Sequence, residues 1–281
     1  MVTAHNIYRV NGWHGDKHYS SAKVVDKIVL SRKYVLLELQ LLNDFKKPKP
    51  PQFIMLWIPG YEAIPMSIAG FNPPDRILLF VKRVGKTTNY IYNELSVGSI
   101  VGVIGPLGKP LILKKDSKYL FLAGGSGLAS ILHYISYHQC TPDKCLTIYG
   151  NWSLTDMGVI PRLIRDLGSR VLTVCMDDGC DVRGLVVNAL DTIDEEFDYI
   201  VSCGPIDMIR DILNYARDLG KHIVILDSYV KCGLGLCGSC LIPGTRYYLC
   251  IDGPGFYAKD VINAVLAKTW AKSLTGVVGN D

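Results

Sequence analysis

The chain has 281 residues, 49% of them hydrophobic and 20% charged, with 30 Lys and Arg against 26 Asp and Glu. That length suits two or three cores, the apolar content excludes intrinsic disorder, and a net charge of +4 without a dense basic block offers nucleic acid no footprint. No apolar run approaches the roughly 18 residues of a membrane span, and the start, Met-Val-Thr-Ala-His-Asn, lacks the basic-then-apolar pattern of a signal peptide, so a cytoplasmic chain is expected.

Residues 1–117 read as strands. Val24, Asp26, Ile28 and Leu30 begin an apolar alternation in part, which Val35 to Leu39 continues. Gln52 to Ile58, Arg76 to Lys82 and Ser99 to Ile104 are short apolar runs, each closed by Gly, Pro or a charge. Turn formers at Pro59-Gly60, Asn72-Pro73-Pro74 and Gly105-Pro106-Leu107-Gly108 suit a small antiparallel barrel, and helical periodicity is largely absent. The lysines at 46, 47 and 49 sit among prolines and read as a solvated turn.

Over 118–226 the pattern changes to alternating strands and helices. Tyr119 to Ala123 is a buried strand type, and Leu128, Ile131, Leu132 and Ile135 mark one helical face. Cys145 to Tyr149, Val171 to Cys175, Asp198 to Cys203 and His222 to Leu226 are further strands. Helical stripes at Ile160 to Leu167 and Ile209 to Ala216 separate them, with Gly168 and Gly220 as stops. Such alternation means a doubly wound parallel sheet, the α/β part of a β-barrel plus α/β architecture. The last segment, 227–281, carries four of the nine cysteines and ends in an amphipathic stretch, Ala258 to Leu274.

Cys232, Cys237 and Cys240 are spaced C-x4-C-x2-C, and Cys250 follows. Four thiolates at this spacing match the plant-type [2Fe–2S] arrangement. A loop wrapped that tightly needs positive φ and backbone N–H donors to sulfur, which Gly233, Gly235 and Gly238 allow. A four-cysteine zinc site shares the ligand count, but zinc sites usually use two C-x2-C pairs and only one is present.

Gly124, Gly125, Ser126 and Gly127 join a strand to a helix, where backbone N–H groups meet a phosphate at the positive helix end. The competing reading is a tight turn alone, since G-x-G-x-x-G is incomplete. Cys203, Gly204 and Pro205 form a second loop after another strand, and two such loops suit a crevice at the sheet edge. In the barrel, Ile64-Pro65-Met66-Ser67 and Val84 to Asn89 offer small hydroxylated residues, which satisfy turns as often as they bind phosphate.

Other candidates read as structural. His5, His14 and His18 lack ligand partners and suit a solvated surface. Cys140 and Cys145, and Cys175 and Cys180, repeat a four-residue gap and read as buried single cysteines in a reducing compartment. Asp194, Glu195, Glu196 and Asp198 read as a solvated turn, and no Ser-His-Asp or paired-carboxylate arrangement stands out.

The order barrel, nucleotide-type sheet, four-cysteine loop resembles the electron-transfer subunits of class B dihydroorotate dehydrogenase, a branch of the ferredoxin reductase-like flavoproteins. The resemblance runs from about Val24 to Val261. It is carried by Cys232 to Cys240 with Cys250-Ile-Asp-Gly-Pro-Gly-Phe256, and by Gln52 to Pro59, Gly105 to Gly108, Asp178-Gly179 and Cys203-Gly-Pro205. It implies an FAD-binding barrel over 1–117, an NAD-binding sheet over 118–226 and a [2Fe–2S] segment over 227–281. It also implies a partner chain holding FMN, in a heterotetramer of pyrimidine biosynthesis that carries electrons from dihydroorotate to NAD+. FAD contacts would fall on Ile64, Pro65, Met66, Ser67, Phe80, Val81, Lys82, Thr87 and Thr88. Nucleotide contacts would fall on Gly124 to Gly127 and Cys203 to Pro205, with Cys203 near the nicotinamide.

Many members have Arg where this chain has Ile64, which leaves Lys82 or Arg83 to meet the flavin diphosphate. The absence of an acid–base constellation fits a subunit whose chemistry belongs to its cofactors. Two alternatives remain open at this stage. One is a reductase subunit of another NAD(P)H-linked complex, of ferredoxin:NADP or sulfide/sulfite type. The other is a zinc-bound interaction module. Gly150-Asn-Trp-Ser153 supplies neither a ribose-binding acid nor a 2′-phosphate arginine, so the acceptor is left open. A cluster that exchanges electrons with a partner has to lie near an interface, so the surface around 232–256 is expected to be apolar and covered by that partner.

Overall fold

The computed structural model describes residues 19–216 and 218–267, so His5, His14, His18 and the far end of the helix expected over 258–274 lie outside the described residues. Six strands, β1 (Tyr19–Val29), β2 (Tyr34–Leu41), β3 (Phe53–Trp57), β4 (Ala63–Asn72), β5 (Arg76–Lys82) and β6 (Ile100–Leu107), close into an antiparallel barrel of order β1-β2-β5-β4-β3-β6. Period-two alternation in β2 turns Val35, Leu37, Leu39 and Leu41 inward. In β1 the expected phase breaks. A register shift between Val24 and Asp26 keeps Ala22 and Val24 inside and leaves Ile28 and Val29 exposed.

Two barrel elements were not expected. Strand β4 contains Pro65, which ordinarily argues against a strand. It is tolerated because residues 63–67 pair with β3 on one side, while pairing to β5 starts only at Ile68. Helix α1 (Lys86–Asn93) is rich in Thr, Asn and Tyr, which are poor helix formers. It forms because the Thr88 hydroxyl accepts from the amides of Val84 and Gly85, both at 2.9 Å, and because Ile91 is wholly buried in the barrel core.

The second sheet has the order β10-β9-β8-β7-β11-β12-β13, from β7 (Tyr119–Gly124), β8 (Cys145–Gly150), β9 (Arg170–Cys175), β10 (Val182–Arg183), β11 (Tyr199–Cys203), β12 (His222–Ile225) and β13 (Gly255–Tyr257). The strands run parallel except β13, which pairs antiparallel to β12. Every residue of β7 is buried, as a central strand covered on both faces must be. Helix α2 (Leu128–His138) packs between this sheet and the barrel, and the Tyr134 hydroxyl donates to the Leu111 carbonyl at 2.8 Å. Helices α3 (Leu154–Met157), α4 (Ile160–Asp166) and α5 (Ile206–Tyr215) complete the winding. After the cysteine loop come α6 (Leu249–Asp252) and α7 (Ala258–Leu266), and Arg210 of α5 caps the end of α7 by donating to the carbonyls of Val265 and Ala267.

One expectation is corrected here. Cys140–Cys145 and Cys175–Cys180 are disulfides, with Cα separations of 5.8 and 5.9 Å. The expectation rested on compartment, whereas each C-x4-C gap here closes a turn that brings its two Cα atoms within bridging range. The acidic run is exposed, as a solvated turn should be, and its Glu195 accepts a bidentate pair from Arg170 at 2.7 and 2.9 Å.

Candidate functional site

Strand β7 neighbours β8 on one side and β11 on the other, so the order reverses between β7 and β11. Ligands of doubly wound sheets bind at the strand C-termini at such a switch point. Gly124 to Gly127 end β7 and Cys203 to Pro205 end β11, so the two loops singled out from sequence flank that point. Their glycines serve contact first. A Cβ on Gly127 would lie 2.3 Å from the Cys203 carbonyl oxygen, so the backbones of the two loops touch.

A cleft of about 290 Å³ opens between the barrel and this crevice. It exists because β4 and β5 separate before Ile68, leaving residues 63–67 an open edge facing the end of β5. Ile64, Pro65, Met66 and Ser67 line it from β4, Phe80 and Lys82 from β5, and Thr87 and Thr88 from α1. Ser126, Gly127 and Cys203 line it from the sheet. Val81 does not: strand alternation sends its side chain into the barrel core, where it is fully buried.

The start of α1 opens on this cleft, and first-turn amides of a helix lack intrahelical partners. Burial, followed by the charge of Lys33, pushes the Lys82 pKa down, as befits an ammonium in need of an anion. These features, with the Lys82 ammonium on the cleft wall, fit the diphosphate of a flavin dinucleotide.

Lys82 also reaches two further hollows. One, of about 370 Å³, lies between the two glycine loops and includes Gly204, Pro205, Ser126 and Asp227. The other, of about 210 Å³, runs along the ends of β8 and β9, past Gly124, Gly125, Asn151, Trp152, Met176 and Leu185. Trp152, Met176 and Leu185 are exposed apolar residues around a slot suited to a flat base. Asn151 donates to the hydroxyls of Tyr149 and Tyr34 at 3.1 and 3.3 Å, tying this slot to the barrel. Sequence reasoning missed Trp152; an aromatic directly after the second strand was the available signal. It also missed Asp227, which gave no signal beyond one acid after a strand. Burial raises the Cys203 pKa, with the Asp227 charge adding to it, so this residue is a neutral thiol.

The cysteine loop lies beside the flavin cleft. Gly233, Gly235 and Gly238 take φ of 66°, 75° and 75°. The amide of Leu234 donates to Cys232 Sγ at 3.3 Å and that of Gly235 to Cys250 Sγ at 3.2 Å. Cys232 and Cys237 are electrostatic neighbours, as are Cys240 and Cys250. The Ser239 hydroxyl and amide, then Cys232, lower Cys237 to about 6, and the Cys250 contact lowers Cys240 to about 6. Two thiol pairs are the donor set of a binuclear iron centre, and the amides donated by Leu234 and Gly235 suit its sulfurs. The four cysteines therefore fit the cluster. Asp252 of the Cys-Ile-Asp-Gly-Pro stretch accepts from the Tyr248 amide at 2.7 Å and so starts α6, which carries Cys250. Around this loop the apolar Leu236, Leu241 and Ile251 are exposed, interspersed with the exposed Lys231, Ser239 and Arg246.

Solved structures define the class. The chain superposes on an NADH-dependent reduced ferredoxin-NADP oxidoreductase with TM-score 0.73 at 22% identity, covering 90% of this chain and 96% of that one. A ferredoxin NADP+ reductase from Neisseria gonorrhoeae with bound FAD and NADP gives 0.58 at 14% identity, over 71% and 90% of the two chains. The fold is thus that of the ferredoxin reductase-like FAD- and NAD-binding proteins. Residues 227–262 match the family described as the iron-sulfur cluster binding domain of dihydroorotate dehydrogenase B. Over 219 residues the chain is 34% identical to a Pyrococcus furiosus protein named "probable dihydroorotate dehydrogenase B (NAD(+)), electron transfer subunit", covering 78% of this chain and 83% of that one. Its counterpart in Methanocaldococcus jannaschii is 32% identical, over 74% and 79%. The chain belongs to the family of dihydroorotate dehydrogenase B electron transfer subunits.

Proposed function

We propose that this chain is the electron-transfer subunit of an NAD+-linked dihydroorotate dehydrogenase, with an FMN-bearing catalytic partner in a cytoplasmic heterotetramer of pyrimidine biosynthesis. The observation that carries this is the seat of the cysteine loop: Leu249, which opens the Cys250 helix, and Pro254, just after it, line the flavin cleft. A cluster held by Cys232, Cys237, Cys240 and Cys250 is then one residue removed from the cleft wall. When bound, the cluster carries single electrons and FAD pairs them for the nicotinamide.

The chain's own residues bind and orient. Lys82 and the first turn of α1 hold the flavin diphosphate, and the open edge of β4 holds its ring through Ile64 to Ser67. Gly124 to Gly127 and Cys203 to Pro205 shape the nicotinamide crevice, and Trp152 with Met176 takes the adenine. The apolar face around Leu236 and Ile251 excludes water where the partner sits. The substrate base then belongs to the partner chain.

The test is co-purification from native extract, with visible spectrum, flavin identification and metal content. Expected are FAD, about two irons per chain, and dihydroorotate-dependent NAD+ reduction by the complex. A colourless zinc protein, or recovery with a partner inactive on dihydroorotate, would overturn it.

A further inference from the structure

Five residues line both the flavin cleft and the hollow between the glycine loops: Lys82, Ser126, Gly127, Cys203 and Asp227. Any flavin and nicotinamide bound in these two spaces meet among them. Two of the five carry charge. Lys82 is matched to phosphate, which leaves Asp227 as the sole acid of the junction.

Its position is set by the fold. Asp227 comes two residues after β12, and the Leu226 amide before it donates to the Pro254 carbonyl at 2.9 Å. The side chain is solvent-accessible in the open cleft. Burial on its protein-facing side raises its pKa, and the Ser228 amide acts against that. A carboxylate in such a place answers no structural need. It caps no helix and pairs with no cation among the described residues.

We propose that Asp227 is a specificity-determining residue for the redox state of the nucleotide, its carboxylate facing the nicotinamide ring and favouring NAD+ over NADH. The inference rests on the flavin and nucleotide reading above. The nicotinamide ring carries a positive charge when oxidised and none when reduced, and the rest of the dinucleotide is the same in both. A fixed negative charge beside the ring therefore discriminates between the two forms, and does so more strongly in a cleft from which water is displaced. The neighbouring Cys203, held as a neutral thiol, adds no competing charge. The arrangement binds the acceptor and releases the product, which suits a subunit that delivers electrons to NAD+.

The experiment uses the full chain with its partner. FAD content and cluster absorbance of the unaltered complex are measured first; absence of FAD there refutes the flavin reading and leaves Asp227 unsupported. Equilibrium binding of NAD+ and NADH is then compared with that of Asp227→Asn and Asp227→Glu. Asn is expected to weaken NAD+ about tenfold, within the usual range of coupling between charged sites, while NADH binding holds. Glu keeps the preference because it keeps the charge. Should the Asn variant fail to fold, Asp227→Ser makes the same test. Equal weakening of both nucleotides, or no change in either, with FAD retained, overturns the proposal.

Discussion

The contact between the two glycine loops gives the sharpest prediction. Gly127 has φ of −59°, so alanine at this position is conformationally acceptable and its cost is steric alone. The added Cβ would lie 2.3 Å from the carbonyl oxygen of Cys203, 2.4 Å from its carbonyl carbon and 2.6 Å from the Gly204 nitrogen. All three are backbone atoms, so no rotamer change relieves the clash. Carbon–oxygen contacts begin near ~3.3 Å, and the loops must therefore part by about 1 Å. Overpacking of this kind costs about 1–3 kcal/mol, and each kcal/mol lowers Tm by about 2–4 °C in chains of roughly this size. A 1 Å error at a reacting centre costs about 10²-fold in rate. Thermal melts and NADH-driven ferricyanide reduction by the FAD-loaded chain measure both effects. Gly70→Ala is the control, because its Cβ meets first the end of the Leu78 side chain at 3.2 Å, which can rotate away. If Gly127→Ala melts and turns over like the native chain, the loops do not touch in solution and the crevice is shaped otherwise.

Cys240→Ala is expected to abolish the cluster's visible absorbance and iron while leaving flavin bound, read by spectrum and metal content. Lys82→Gln should weaken FAD about tenfold or more, as loss of a charge-assisted contact costs about 1.5–3 kcal/mol, measured by flavin fluorescence on dilution. The denatured, metal-free chain should titrate five thiols without reductant, the free cysteines 203, 232, 237, 240 and 250, and nine with it. Asp156 predicts a pH dependence. Burial would raise its pKa, but Lys33 at 2.7 Å and Ser153 outweigh that and hold the carboxyl low. The pairing therefore stabilises above the unfolded carboxylate pKa of about 3.9 and is lost as pH falls through the folded value. The Tm gap between the native chain and Asp156→Asn should be full at pH 7 and close in the acid range below pH 4.

Some parts of the molecule were legible from sequence because one residue type performs one task there. The cysteine spacing and the three glycines at positive φ could not serve an ordinary loop, and the α2 stripe from Leu128 to Ile135 could only face a core. Strand β4 was hidden because Pro65 is acceptable only at a half-open edge, a property set by where β5 ends its pairing. Helix α1 was hidden because a glycine stands at its cap, so that the local capping by Thr88 carries little sequence signature, and because the burial of Ile91 that holds it is tertiary in origin. The disulfides were masked by an assumption about compartment. Asp227 was invisible for a plainer reason: a single acid gains meaning only when two clefts are found to share it.

The pattern along the chain divides it into three units at 117 and 226, and the contacts make the cluster segment a component of both others. Strand β13 is the seventh strand of the nucleotide sheet, and the Lys109 amide just beyond the barrel donates to the Gly253 carbonyl at 2.6 Å. Gly233 lies against barrel residues, its missing Cβ 2.7 Å from Leu107 and 3.0 Å from Met55. Its positive φ and this close approach both exclude a side chain, so the glycine serves the loop's curvature and its docking at once. Electron transfer through protein depends on fixed separations between centres. A cluster loop keyed to barrel and sheet holds its separation from the flavin cleft in a way that a tethered domain would not. The free side of the same loop, with Leu236 and Ile251, is then left for the partner.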